Sequence, residues 1–412
     1  MKEHLVALII SLAFTLFSLY IHVMPSSNSM INLKTSNLSE EKPFISNDYL
    51  TVAITYHKEH PAFAKRPLTT YLVEKLSNYS SLNLGTSFTV INFFFLFLCG
   101  MVIYYCSILI GNNKIEAQWS IALFYLNFSV LFAFFPPIYS YDEPLYYFLI
   151  FLSLISLLHG RWILYVLFFS LGLITRESGL ILLPSFAILS LSYQKPASFY
   201  LKRLFFLSVP IIIYAAFLYI FISKNNIEEA SKQDFLDRFS HFFGNFRDLK
   251  FTVESIASFI LAIGLQSYLL YCYASRKLLS TTEKRYITAF ILALIINTLV
   301  VILTTQARET RLFALPLVFL SPLLGKYLIR EYKFIRNKLL RAPKNELLRS
   351  LLLLAVLISL SLIITNSFYF QTIGSPAENL FDEYIAVAAS LFFSHFVFRF
   401  VLKPNDAVAV MD

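Results

Sequence analysis

Cysteine is scarce in this chain, with three in 412 residues. Cys99, Cys106 and Cys272 each fall inside an apolar run, where a thiol behaves as a small hydrophobe, so neither a disulfide framework nor a metal site is expected. Glycine is scarce as well, at ten residues, against 43 phenylalanines and 25 tyrosines. That balance argues against small-residue contacts as the main helix-packing device and for bulky aromatic packing. Charge is thin: 14% of residues are charged and 57% are hydrophobic, far from a soluble globular average. The sequence holds no CxxC, HExxH, GxxxxGK[ST] or GxGxxG, which argues against an ATP-driven pump or a nucleotide-binding enzyme. Internal repeats, low-complexity tracts and soluble-domain linkers are missing too. What remains is an all-α, polytopic membrane protein forming one transmembrane domain over residues 1–412. Its net charge of +9 then concerns which loops hold the positive residues, not nucleic acid.

The first apolar run, Leu5 to Ile21, follows Lys2 and lacks a small-x-small cleavage site, so it reads as a signal anchor with a cytosolic N-terminus. Residues 25–85 form a polar outer segment. Within it, Tyr49, Val52, Ala53 and Tyr56 follow Asp48 at helical spacing, and Leu68, Tyr71, Leu72 and Leu76 follow Pro67; both predict short amphipathic helices on the membrane face. Further apolar runs bring the count to about twelve passes, several shorter than a perpendicular span prefers.

The topology turns on residues 162–193, which enclose GLITRESGLILLP. Read as one helix, this segment would place Lys195–Arg203, Arg276–Arg285 and Lys326–Arg349 outside. Read as two passes broken at Arg176–Gly179, it places all three in the cytosol, as the positive-inside bias requires. The broken reading also puts both termini in the cytosol and residues 25–85 and 224–250 outside. In the latter, phenylalanines over 234–249 predict an interfacial helix. The basic loop 326–349 is suited to anionic lipid headgroups.

Four outer loops then face one compartment: Asp48–Arg66, Tyr139–Pro144 (YSYDEP), Arg176–Gly179 (RESG) and Gln306–Arg311 (QARETR). Guanidinium groups match phosphate oxygens bidentately, and Arg308 and Arg311, one turn apart, with Arg176, are placed to hold a lipid-linked phosphate. The alternative is that each arginine pairs with its neighbouring Glu177 or Glu309, or snorkels to headgroups. Asp48 reads either as a general base or as the N-cap of a helix starting at Tyr49. Asp142 and Glu143, before Pro144, read as helix-start carboxylates, with a catalytic or metal role as the alternative. Arg66 is either an anion ligand beside the helix starting at Pro67 or a solvated loop residue. His57 and His60 read as surface polar residues. Glu177 reads as a group that orients Arg176.

These segments resemble those of the GT-C superfamily of multi-pass glycosyltransferases, which use polyprenyl-phosphate-linked sugars. GLITRESGLILLP is similar to its G-L-x-x-L-T-[RK]-E-x-G-L-L-L-L-P segment, and YDEPLYYFLIFLSLISLLHGRW to the helix, basic turn and helix before it. NDYLTVAITYHKEHPAFAKRPLTTYL resembles the family's first outer region, and QARETRLFALPLVFLSPLL its late E-x-R-x-x-x-P-x-x-P helix. The resemblance implies a GT-C-like bundle on the outer face of a bacterial inner membrane, with a lipid-linked sugar donor as substrate and no other cofactor. It implies Asp48 as the base and Arg66, Arg176, Arg308 and Arg311 as phosphate ligands, supported by Asp142, Glu143, Glu177 and Glu309. A lipid-linked-sugar transporter or flippase, a glycan polymerase, or a non-catalytic membrane scaffold are the other readings of the same arginines.

Overall fold

The computed structural model describes residues 2–23, 31–32, 44–45, 47–135, 141–190, 197–225, 237–276, 279–367 and 380–403. These are helical apart from turns, short connections and one antiparallel ladder of two residues a side, Ile31–Asn32 with Phe44–Ile45. Seven helices are long and apolar enough to cross a membrane: Glu3–Val23, Leu84–Leu109, Leu201–Asn225, Leu249–Ala274, Thr281–Thr304, Lys344–Ser367 and Phe381–Val401. Three shorter apolar helices, Glu143–Leu158, Trp162–Thr175 and Glu177–Ser190, lie between them in the chain. In chain order the α-helices are α1 (Lys2–Val23), α2 (Asn47–Glu59), α3 (Pro61–Ala64), α4 (Pro67–Tyr79), α5 (Leu84–Leu109), α6 (Lys114–Tyr125), α7 (Glu143–Leu158), α8 (Trp162–Thr175) and α9 (Leu183–Ser190). They continue with α10 (Ala197–Asn225), α11 (His241–Asn245), α12 (Leu249–Ala274), α13 (Thr281–Thr304), α14 (Thr310–Phe313), α15 (Leu317–Arg341), α16 (Lys344–Ile363) and α17 (Phe381–Phe396).

The chain reverses at RESG. Arg176 leaves the helical region with φ −161° and ψ 118°, and a 3-10 stretch, Glu177–Leu182, leads into α9. Phe186 then packs 5.2 Å from Phe169 and 5.7 Å from Tyr165, ring to ring. In one straight helix, residues 169 and 186 would stand about 25 Å apart. Gly179 sits inside the turn, where a Cβ would lie 2.9 Å from the Leu173 side chain. The opposite end of α8 joins α7 through Gly160, at φ +67°. There the amide of Gly160 donates to Leu157 and that of Arg161 to Ser156, a closure that favours glycine in the left-handed region.

Aromatic rings fill much of the interior, among them the cluster of Tyr165, Phe169, Phe186 and Phe319. One close helix crossing is made by glycine all the same. At Gly325 of α15 a Cβ would fall 1.9 Å from the Glu116 carbonyl oxygen of α6. One turn earlier, the Pro322 carbonyl accepts from Ser107, Asn112 and Ser120, so α5, α6 and α15 meet at one backbone oxygen.

Two stretches differ from the sequence reading. Lys326–Arg349 is not a loop, because α15 runs to Arg341 and α16 begins at Lys344. Its early basic residues are engaged: Lys326 pairs with Glu283 at 2.9 Å and Arg330 donates to Tyr273. Buried Glu331 binds Arg276 and Arg399, drawing the C-terminal segment onto α15. The interfacial helix expected over 234–249 is shorter, helical over 237–245 as a 3-10 turn, Arg238–Ser240, running into the short α11; residues 234–236 lie outside the described residues. Asn245 ends α11 by donating to the carbonyls of Ile302 and Thr305, and Asp248 caps α12. Phe239, Phe242, Phe243 and Phe246 are exposed, so the stretch keeps its apolar surface.

Gly325→Ala is expected to push α6 and α15 apart and to cost about 3 kcal/mol, the upper range for overpacking against a backbone that cannot yield. Thermal unfolding of the purified protein in detergent checks this; an unchanged midpoint would refute the close crossing.

Candidate functional site

One end of the bundle gathers the start of α7, the RESG turn, the loop before α4, the end of α13 and the segment 306–313. A cavity of about 260 Å³ opens there. Its charged lining is Arg66, Arg176, Arg238, Arg311, Glu143 and Glu177. Its apolar lining includes Leu180, Ile181, Val300, Val301, Leu312 and Leu315. Four guanidinium groups against two carboxylates leave the wall net positive, and the apolar side suits a hydrocarbon chain.

Arg66 and Arg176 are held by carboxylates remote in sequence, and Arg311 by one remote and one near. Glu143 Oε1 accepts from both Arg176 Nη1 and Arg311 Nη1, the latter at 2.6 Å. Glu309 engages the other edge of Arg311, with Nε 3.0 Å from its Oε2. Glu177 takes Arg66 as a two-point pair, Nε to Oε2 at 2.7 Å and Nη2 to Oε1 at 2.6 Å. Arg238 approaches the same carboxylate at 3.8 Å. Burial opposes the charge of Arg66, but Glu177 outweighs it, with smaller contributions from Asp142 and Glu143, so this guanidinium is held above the ordinary arginine range. Arg311 is raised in the same way, with Glu309 and Glu143 opposing burial. Arg66 and Arg311 therefore stay charged at any physiological pH.

Several readings from sequence are corrected here. Glu177 does not orient Arg176; it faces back toward the loop before α4 and binds Arg66. Arg66 is a buried cleft residue and not a solvated one. Arg308 and Arg311 do not share a helix face: Glu309 is extended, α14 spans only Thr310–Phe313, and the two side chains diverge. Arg308 lies outside the cavity lining, 3.8 Å from Glu254 and over the Phe251 ring. Asp142 occupies the N-cap position of α7 but makes no side-chain capping bond. Its Oδ2 lies 3.1 Å from His57 Nε2 instead. Glu143 serves the arginines and not the helix end.

His57, read from sequence as a surface residue, is 1% exposed. Its Nδ1 meets Thr70 Oγ1 at 3.3 Å, which meets the Tyr141 hydroxyl at 2.8 Å. This chain of contacts fastens α2 and α4 to the start of α7 and so positions the residue next to Glu143. The signal that would find it is the register of α2, in which His57 shares the buried face with Leu50, Ala53 and Ile54. α2 begins at Asn47, so Asp48 stands in its first turn and not before it; the Asp48 side chain lies outside the described residues. Asp142 Oδ1 and Glu143 Oε2 are buried without a hydrogen-bond partner among the described residues. In the cleft, the Glu143 oxygen is an acceptor suited to a ligand hydroxyl. No three His, Cys, Asp or Glu side chains converge as a metal-binding set among the described residues.

Comparison with protein-family models, curated proteins and solved structures returned no match. Fold and composition define the class: an all-helical integral membrane protein with an arginine-lined cleft at one end.

Glu143→Gln is expected to leave Arg176 and Arg311 without their shared counter-charge and to destabilise the protein by roughly 3–5 kcal/mol. Adding Arg311→Gln should recover part of that loss in the same thermal unfolding assay. Additive losses in the double variant would show that the two side chains are not coupled.

Proposed function

We propose that this protein is a membrane glycosyltransferase of the GT-C kind, moving a sugar from a polyprenyl-phosphate donor to an acceptor on the outer face. The observation that carries the reading is the cleft, which sets Arg66, Arg176 and Arg311 beside an apolar wall. A lipid phosphate asks for that combination of charge and hydrocarbon surface. In this reading about twelve helical passes cross a bacterial inner membrane, both termini are cytosolic, and Lys326–Arg349 lies against anionic cytosolic lipid.

The acceptor hydroxyl attacks the anomeric carbon, and the bond from that carbon to the phosphate oxygen breaks with its electron pair leaving on the phosphate. Arg176 and Arg311 stabilise the charge that grows on the departing phosphate. The acceptor proton passes to a carboxylate, assigned to Asp48 from the resemblance of the first outer segment. Attack opposite the leaving phosphate inverts the sugar carbon. Glu143 holds both arginines and presents its second oxygen to a sugar hydroxyl.

A second reading is favoured by one observation: each carboxylate in the cleft wall already binds an arginine. That arrangement suits a carrier of lipid-linked sugars that binds the phosphate and breaks no bond.

Purified protein in liposomes with labelled polyprenyl-phosphate sugars and a panel of acceptors should transfer sugar. Arg176→Ala should reduce transfer by about 10²–10³-fold while the protein stays folded. Unchanged transfer by the folded variant defeats the assignment. Movement of labelled donor across the bilayer without transfer supports the carrier.

A further inference from the structure

At the end of α8 away from the cleft lies a second cavity, of about 440 Å³. Arg161 and Trp162 from the α7–α8 turn line it together with Lys202 and Phe206 of α10. Neither Arg161 nor Lys202 has an ion-pair partner among the described residues. The sequence explains why none is at hand: from residue 144 to residue 227 the only carboxylate is Glu177. Glu177 sits at the cleft end, bound to Arg66. Arg203 adds a third positive charge, its guanidinium 5.5 Å above the Trp162 ring. Lys195 belongs to the same basic stretch but lies outside the described residues.

The surroundings separate a lipid from a free anion. Trp162 stacks on Phe206 with ring centres 5.8 Å apart, an aromatic pair of the kind that marks the level of lipid headgroups. Beside the cations, α8 exposes Ile163 at 79%, and α10 exposes Leu201 at 68% and Phe205 at 60%. Gly160 leaves the turn open, since a Cβ there would meet nothing within 4 Å. A soluble phosphate has no use for the flanking hydrocarbon. A phospholipid uses both parts, its phosphate between the cations and its acyl chains along Ile163, Leu201 and Phe205.

We propose that Arg161 and Lys202, framed by Trp162 and Phe206, form a binding site for the phosphate headgroup of an anionic phospholipid in the leaflet opposite the arginine cleft. The proposal rests on the membrane character of the chain and not on the glycosyltransferase reading. The site is separate from the basic stretch of α15 and α16.

The full chain, purified in detergent, is titrated with phosphatidylglycerol, phosphatidylcholine or inorganic phosphate, with retained lipid read by native mass spectrometry. The wild type should bind phosphatidylglycerol in preference to phosphatidylcholine. Arg161→Ala/Lys202→Ala should weaken phosphatidylglycerol about thirtyfold, roughly fivefold for each cation removed at the interface. Lys333→Ala/Arg336→Ala, two exposed charges of α15, should leave the preference intact. Equal phosphatidylglycerol binding by wild type and Arg161→Ala/Lys202→Ala overturns the proposal. Loss of the preference in the Lys333→Ala/Arg336→Ala protein overturns it as well, and so does displacement of the lipid by millimolar inorganic phosphate. Should the alanine pair fail to fold, Arg161→Gln/Lys202→Gln removes the charge while keeping a polar side chain and part of its length, and the same criteria apply to it.

Discussion

Glu143 is the counter-charge on which the cleft end of the bundle depends. Arg176 ends α8 and Arg311 belongs to the α14 turn, so the two arginines come from parts of the chain more than a hundred residues apart. Both point their Nη1 atoms at one carboxylate oxygen. A charge buried in an apolar bundle costs several kcal/mol unless it is paired, and breaking a buried pair leaves that cost exposed. The start of α7, the RESG turn and the segment before α15 are therefore held in a single arrangement. Arg66 and Glu177 extend it to the loop before α4, and His57 with Asp142 closes it from the other side.

The scaffold beneath this network is built to keep those ends together. The α8–α9 reversal brings Phe186 onto Phe169 and leaves Arg176 at the tip. α15 seats Gly325 on the backbone of α6 and fixes the direction in which the Leu312–Leu315 wall meets the cleft. The far end has a matching device, in which Glu331 gathers Arg276 and Arg399. Charge clusters thus lie at both ends of an interior that is otherwise aromatic and aliphatic. The cleft cluster differs in opening onto a cavity. That opening, with the surplus of arginine along its wall, is what makes it suited to an anion and not only to holding helices.

Much of the architecture was legible in the residues. Apolar runs mark helices because a backbone in hydrocarbon must satisfy its hydrogen bonds within the segment. The break at Arg176–Gly179 was legible because a charged pair beside glycine interrupts such a run, and the observed reversal lies there. Arg176 and Arg311 were singled out from their type and position and line the cleft, while Arg66 reads from sequence either as an anion ligand or as a solvated loop residue. Of the ion pairs, only Arg311 with neighbouring Glu309 was legible. Neighbours in sequence suggested Arg176 with Glu177 and a joint role for Arg308 and Arg311, yet an extended Arg176 sends adjacent side chains to opposite sides. Glu309 does the same to the two arginines around it. His57 was missed because the apolar spacing points to a face through Tyr49, Val52, Ala53 and Tyr56; the face that is buried runs through Leu50, Ala53, Ile54 and His57.

The sequence by itself determined the class of protein, the helical segments and the position of the turn at RESG, since these follow from local composition and the solvent each segment prefers. Tertiary structure alone decided which carboxylates meet Arg66 and Arg176, and that Arg311 shares Glu143 as well as its neighbour Glu309. Charge pairing depends on the direction of side chains brought together across the bundle, and no spacing along the chain encodes that direction. GLITRESGLILLP shows both halves: its composition marks the reversal, while the partners of Arg176 and Glu177 come from α7 and from the loop before α4.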